Sequence, residues 1–181
     1  MDFELKGKKA IVSAGGSGIG HTVVEEFIKQ GVSISTCDID KDYILELRSK
    51  YPQIYAEVVD VGDELAVKEF CIKSIEFLGG LDCLVNNAGV AGPTSPVEEI
   101  DTEDWLQCLN VCLSSQFYFV KSCLQQLRES SSASIINISS AAGKHGFALR
   151  TPYASAKWGV IGLTKSLSIE LGKDKIRVNA I

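Results

Sequence analysis

Tyr153 and Lys157 stand four residues apart in a stretch of helical period, so both side chains fall on one helix face. A phenol with a reference pKa of about 10 is a poor base at neutral pH, and an adjacent ammonium favours the phenolate. Such a pair can move a proton on and off an oxygen. A solvated helix face is the plainer reading, and spacing alone does not separate the two. Ser139 and Ser140 close an apolar run upstream of that helix, and the hydroxyl of either could hold a substrate oxygen. Asn110 places an amide between Leu109 and Val111 in another helical stretch, where such groups are often satisfied locally.

A second set of residues suits a nucleotide. Ser13-Ala14-Gly15-Gly16-Ser17-Gly18-Ile19-Gly20 joins a β-branched run to a helical one. Glycines there let backbone approach a pyrophosphate, and the helix start offers free N–H groups and a favourable dipole. A strict Gly-x-Gly-x-x-Gly is absent, and a flexible turn is the alternative. Asp38 closes the next apolar run, where a carboxylate accepts hydrogen bonds from a ribose and repels a 2′-phosphate. No Lys or Arg stands in the glycine loop to receive that phosphate, so the preference expected is NAD over NADP. Asp60-Val61 could bond an adenine amino group, or Asp60 could simply make a turn, with Asp63 capping the following helix. Asn86-Asn87-Ala88-Gly89 follows a fourth apolar run, at the kind of place where open α/β sheets bind ligands, although Asn- and Gly-rich turns are also common on their own.

The elements that must position these residues alternate. Lys9–Ser13, Ser33–Asp38, Ile54–Val59, Asp82–Asn86, Ser134–Ser139 and Ile176–Ala180 read as strands. Gly18–Gln30, Lys41–Lys50, Asp63–Leu78, Thr102–Arg128 and Pro152–Leu171 read as helices. The alternation predicts one domain over residues 1–181, an α/β fold with a doubly wound parallel sheet and helices on both faces. The serine run after Glu129 reads as a surface loop. The chain stops at Ile181 while still extended, which predicts a truncated copy, a fragment or a partner-dependent chain.

Composition narrows the function classes. The 181 residues are 45% hydrophobic and 23% charged with a net charge of −5, which suits a globular core and disfavours a nucleic-acid surface. No apolar run is long enough for a membrane helix, and Met1–Ala10 is charged rather than leader-like, so a cytoplasmic chain is expected. Six cysteines without a Cys-x-x-Cys pair predict buried free thiols, and two separated histidines argue against a zinc site.

Taken in order, these motifs resemble the short-chain dehydrogenase/reductase family, over essentially the whole chain and with its Rossmann-like fold. The family's Thr-Gly-x-x-x-Gly-x-Gly loop is similar to Ser13–Gly20, and Asp38, Asp60-Val61, Asn86–Gly89 and Asn110 follow in its order. Its Tyr-x-x-x-Lys matches Tyr153 and Lys157, its serine thirteen residues earlier selects Ser140, and Arg177–Ile181 is similar to its next strand. In the family a Pro-Gly turn, a substrate-covering segment and a last strand follow that strand, so the resemblance implies a C-terminally truncated, incomplete domain that lacks its last strand and substrate-covering segment. It further implies hydride transfer between NAD and an alcohol or ketone. Tyr153 would act as base, Lys157 would lower its pKa and hold the nicotinamide ribose, Ser140 would polarise the substrate oxygen, and Asn110 would hold a water. Cofactor contacts would come from Ser13, Gly15, Ser17, Gly18, Ile19, Gly20, Asp38, Asp60, Val61, Asn87, Ala88, Gly89 and Ile138, with Gly143–Thr151 flanking the pocket. It also implies a homo-oligomer paired through Thr102–Arg128 and Pro152–Leu171, a small-molecule partner, and no nucleic acid or membrane. The family's second loop position is usually Gly; Ala14 is expected to be tolerated by keeping φ negative. A catalytically inactive chain that keeps nucleotide binding or an oligomer surface is the rival expectation, and a sugar-nucleotide epimerase or dehydratase a more distant one.

Overall fold

The structure, a computed structural model, describes residues 3–181; Met1 and Asp2 of the charged start lie outside the described residues. Six strands form one sheet: β1 (Lys9–Ser13), β2 (Ser33–Asp38), β3 (Tyr55–Val58), β4 (Cys83–Asn86), β5 (Ser134–Asn137) and β6 (Arg177–Ala180). All pairings are parallel and the spatial order is β3-β2-β1-β4-β5-β6, so the winding reverses between β1 and β4. That reversal opens a crevice at the carboxyl ends of the two strands. The expected doubly wound parallel sheet is therefore the one observed.

Among the described residues six α-helices lie in the connections: α1 (Gly18–Lys29), α2 (Lys41–Lys50), α3 (Glu64–Leu78), α4 (Thr102–Leu109), α5 (Ser115–Glu129) and α6 (Thr151–Glu170). Asp40 and Asp63 cap α2 and α3 by accepting two backbone N–H bonds each, so the cap expected of Asp63 is present. Val24, Ile44 and Leu47 of α1 and α2 pack on Ala10, Val12, Ile34 and Val85 of the sheet. Phe70, Cys71, Phe119, Cys123 and Leu127 of α3 and α5, with Leu171 beyond α6, pack on Ile11, Leu84, Ile135 and Val178 of the opposite face. On the α1–α2 side cover thins at the β4–β5 end, where Cys83 and Ile136 are only partly buried.

Two expectations need correction. The stretch read as one helix over Thr102–Arg128 contains a widened turn at Asn110–Ser114, where the Ser115 N–H donates to the Asn110 carbonyl five residues back. Such turns answer tertiary demands that helical periodicity does not record. Ala14 does not keep φ negative: it sits at φ 52°, in the left-handed region. The cysteines are free, and among the described residues no helix is long and apolar enough to cross a membrane.

Candidate active site

The loop after β1 is fastened from across the crevice. Ser13 is 1% exposed, and its Oγ accepts the N–H groups of Asn87 at 2.9 Å and Ala88 at 3.1 Å. Asn87 returns two bonds from Nδ2, to the carbonyls of Ser13 and Ala14, both at 3.0 Å. These bonds hold Ala14 in its unusual conformation and tie the carboxyl ends of β1 and β4 together. Gly20 packs beneath them: a Cβ there would lie 2.1 Å from the Ala14 carbonyl oxygen and 2.4 Å from Asn87 Nδ2. The first turn of α1 has no acidic residue, and Ser17 makes no side-chain cap, so its leading N–H groups have no side-chain acceptor. Ser17, Gly18 and Ile19 are exposed at that helix start.

Asp38, buried at the end of β2, accepts the Gly16 N–H on Oδ2 at 2.9 Å and the Asp40 N–H on Oδ1 at 3.1 Å. Each oxygen keeps further acceptor capacity. A cavity of about 380 Å³ opens beside it, lined in part by Ser17, Asp38, Asp60, Val61, Ala88, Gly89 and Asn110. Asp60 Oδ1 accepts the Gly62 N–H at 2.8 Å, which is the turn role weighed for it, and its side chain still lines the cavity. Ile39, 69% exposed, and Val90 and Gln107 also line it. Ile39 is not among the expected residues; an isoleucine directly after a strand-ending acid is the signal the sequence carries for it.

Across the crevice, Pro152 in the first turn of α6 starts the helix that carries Tyr153 and Lys157. Lys157 is 3% exposed, and its Nζ donates to the Ile138 carbonyl at 2.8 Å and sits 5.6 Å from the centre of the Tyr153 ring. Burial pulls the Lys157 pKa below its usual value, against smaller opposing contributions from Cys112 and Cys108. A Cβ at Gly89 would be 3.6 Å from Lys157 Nζ, so the β4 loop and the lysine meet. The two serines now separate. Ser139 Oγ is buried and donates to the Lys157 carbonyl at 3.0 Å, an approach that needs Gly143, where a Cβ would fall 2.4 Å from that oxygen. Ser140 remains partly exposed and accepts the Ala142 N–H at 3.1 Å.

Asn110 sits at the widened turn with its amide engaged: Nδ2 donates to the Gly62 carbonyl at 2.8 Å, and Oδ1 accepts from the Tyr118 hydroxyl at 3.1 Å. It thereby joins the cavity to α5. A buried chain, Asn86 to Asn137 to Thr164, fixes β4, β5 and α6 relative to each other. Arg150, inside the flanking stretch but not singled out, stands with its guanidinium carbon 5.1 Å from the Tyr153 ring centre. A lone loop arginine carries no spacing signal, which is why it went unread. The expected residues thus divide into a cavity group around Asp38 and a Tyr153, Lys157 and Ile138 group, which Gly89 and Asn110 border or bridge.

Comparison with known proteins agrees with this fold. The short chain dehydrogenase family model matches residues 8–181. The chain is 34% identical over 181 residues to L-fucose dehydrogenase of Bos taurus, covering 100% of this chain and 67% of that protein. It is 31% identical over 175 residues to the NAD(+)-dependent 2-dehydro-3-deoxy-L-rhamnonate dehydrogenase of Sphingomonas sp. strain SKA58, covering 97% and 70%. The solved structure of carveol dehydrogenase from Mycobacterium avium in complex with NAD superposes with a TM-score of 0.92 at 28% identity, covering 97% of this chain and 69% of that one. The fold and these matches place the chain in the short-chain dehydrogenase/reductase family of oxidoreductases.

Proposed function

We propose that this protein transfers a hydride between NAD(H) and a small-molecule alcohol or ketone. The observation that carries the reading is the buried Lys157, held on the Ile138 carbonyl beside Tyr153 at the edge of the crevice. The residues present fit a dinucleotide. The helix start at Ser17–Gly20 offers N–H groups to a pyrophosphate, the close-packed Gly20 keeps side chains out of that path, and Asp38 has acceptor capacity for ribose hydroxyls. Asp60 and Val61 border the place for a base, while Ala88, Gly89 and Ile138 lead toward Lys157. Ser13 and Asn87 contribute by holding the loop, because their polar groups are already engaged there. Bound NAD supplies a hydride acceptor, or NADH a donor.

In the oxidation direction Tyr153 takes the proton of the substrate hydroxyl. Lys157 supplies positive charge beside the ring, and low exposure strengthens that interaction. Ser140 donates to the substrate oxygen, for which its partial exposure suits it better than Ser139. Asn110 positions the widened turn, and a water held there would link Lys157 to solvent. Asp38 in the ribose position favours NAD over NADP by repelling a 2′-phosphate. The exposed Phe117 of α5 and Trp158 and Ile169 of α6 suit a homo-oligomer, and six unpaired thiols suit a reducing compartment such as the cytoplasm. The test is Tyr153→Phe, assayed by NADH absorbance over a panel of simple alcohols and ketones. Turnover should fall at least about 10²-fold while NADH affinity is retained; unchanged turnover would remove Tyr153 from the chemistry.

A further inference from the structure

The Tyr153 ring has a second cation beside it, Arg150, and that cation has no counter-ion among the described residues. The Arg150 side chain donates from Nη2 to the Ala91 carbonyl at 2.6 Å and, among the described residues, makes no other hydrogen bond and pairs with no carboxylate. Its Nε is enclosed by protein without a partner. A guanidinium has five N–H donors, so most of its capacity is unmet by the chain.

Two loops fix it where it stands. The Ser95 N–H donates to the Leu149 carbonyl at 3.0 Å, and the Arg150–Ala91 bond repeats the tie one residue on. Leu149 adopts φ 63°, a left-handed backbone that a leucine rarely takes. Charge does not hold these loops. Residues 143–151 carry Lys144, His145 and Arg150 with no acid, and residues 90–97 carry no charge, in a protein whose net charge is −5. Asp104 lines a small cavity with Cys108 and forms no ion pair with Arg150.

A partly enclosed guanidinium without an anion is unfavourable, and an anionic oxygen group would meet both its charge and its free donors. We propose that Arg150 receives such a group from the substrate, so that the alcohol or ketone taken here carries a carboxylate or a phosphate. This rests on the oxidoreductase reading, in which the substrate oxygen lies at Tyr153.

Matched pairs of probes test it, with binding followed by ligand-observed NMR in the presence and absence of NADH. Acetoacetate is set against methyl acetoacetate, and dihydroxyacetone phosphate against dihydroxyacetone. The anionic member of at least one pair should bind about tenfold tighter or more, as expected for hydrogen bonds to a charged group. Which pair responds separates carboxylate from phosphate. Arg150→Gln should abolish the preference while leaving the neutral member within about twofold, and Arg150→Lys should keep part of it. Equal affinity within both pairs would overturn the proposal. A preference that survives Arg150→Gln, or an equal loss for charged and neutral members, would also overturn it, the latter marking Arg150 as a support for Tyr153 only. NADH affinity is read in the same samples: its absence counts against the cofactor reading, whereas intact NADH binding without anion preference counts against Arg150 alone.

Discussion

Ser13→Ala removes one oxygen and exposes how the crevice is held. That oxygen accepts two peptide N–H groups, from Asn87 and Ala88, inside a site that is 1% exposed. Alanine offers no acceptor, so both donors lose their partner. Each costs about 1–2 kcal/mol, the net hydrogen bond plus part of the desolvation penalty, for a total of about 2–4 kcal/mol. In a domain of this size that lowers Tm by roughly 5–15 °C. Ser13→Thr keeps the acceptor and should stay within about 1 kcal/mol of the parent. The assay is urea unfolding followed by far-UV circular dichroism, with the slope checked for constancy. NADH affinity should fall in Ser13→Ala as well, because Asn87 then ceases to hold the glycine loop in register. A loss below about 0.5 kcal/mol would refute the reasoning, since it would mean that the two N–H groups find other partners without cost.

Gly20→Ala forces a methyl group against the Ala14 carbonyl and Asn87 Nδ2, so it should cost about 3 kcal/mol or more in urea unfolding and remove measurable NADH binding. Lys157 gives a pH signature: its folded-state pKa is lowered from 10.5, so the folded form sheds its proton before the unfolded form does. Stability therefore rises with pH as the value climbs through the lowered pKa toward 10.5, and unfolding curves of Lys157→Met should lack that rise. Asp38→Ser should raise NADPH affinity relative to NADH, measured as the ratio of their dissociation constants, because it removes a carboxylate that would repel a 2′-phosphate. Ala14→Gly relieves a left-handed alanine and should be neutral to about 1 kcal/mol stabilising in the same unfolding assay, because glycine's added chain entropy offsets part of the relief.

Much of the frame was legible in the sequence because local and tertiary demands coincide. Lys9–Ser13 and Ser33–Asp38 are β-branched or apolar runs bounded by Gly and Asp, and both strands start and stop where those signals do. Other boundaries moved by one or two residues: Ile138 and Ser139 read as strand, and their N–H groups still donate to the Asn86 and Ile181 carbonyls, but β5 ends at Asn137 as the Ile138 carbonyl and the Ser139 hydroxyl turn to Lys157. The break at Asn110–Ser114 was hidden, since its residues continue a helical pattern and only the pull of Gly62 and Tyr118 on Asn110 accompanies it in space. Ala14 misled because alanine ordinarily avoids positive φ, and two bonds from a residue far along the chain override that preference. Ser139 and Ser140 were indistinguishable by type; burial and the Lys157 carbonyl separate them. Arg150 could not be read at all, because its meaning depends on the distance to a ring three residues away and on the absence of a carboxylate across two loops.

The central claim is that the crevice between β1 and β4 binds a dinucleotide whose reactive end meets Tyr153 and Lys157. Isothermal titration of NADH into the 181-residue chain tests it most directly, with Gly20→Ala as the paired control. Binding should be saturable and one-to-one, abolished by Gly20→Ala and preserved in Tyr153→Phe. Absence of saturable heat in a chain whose circular dichroism shows it folded, or binding indifferent to Gly20→Ala, would contradict it.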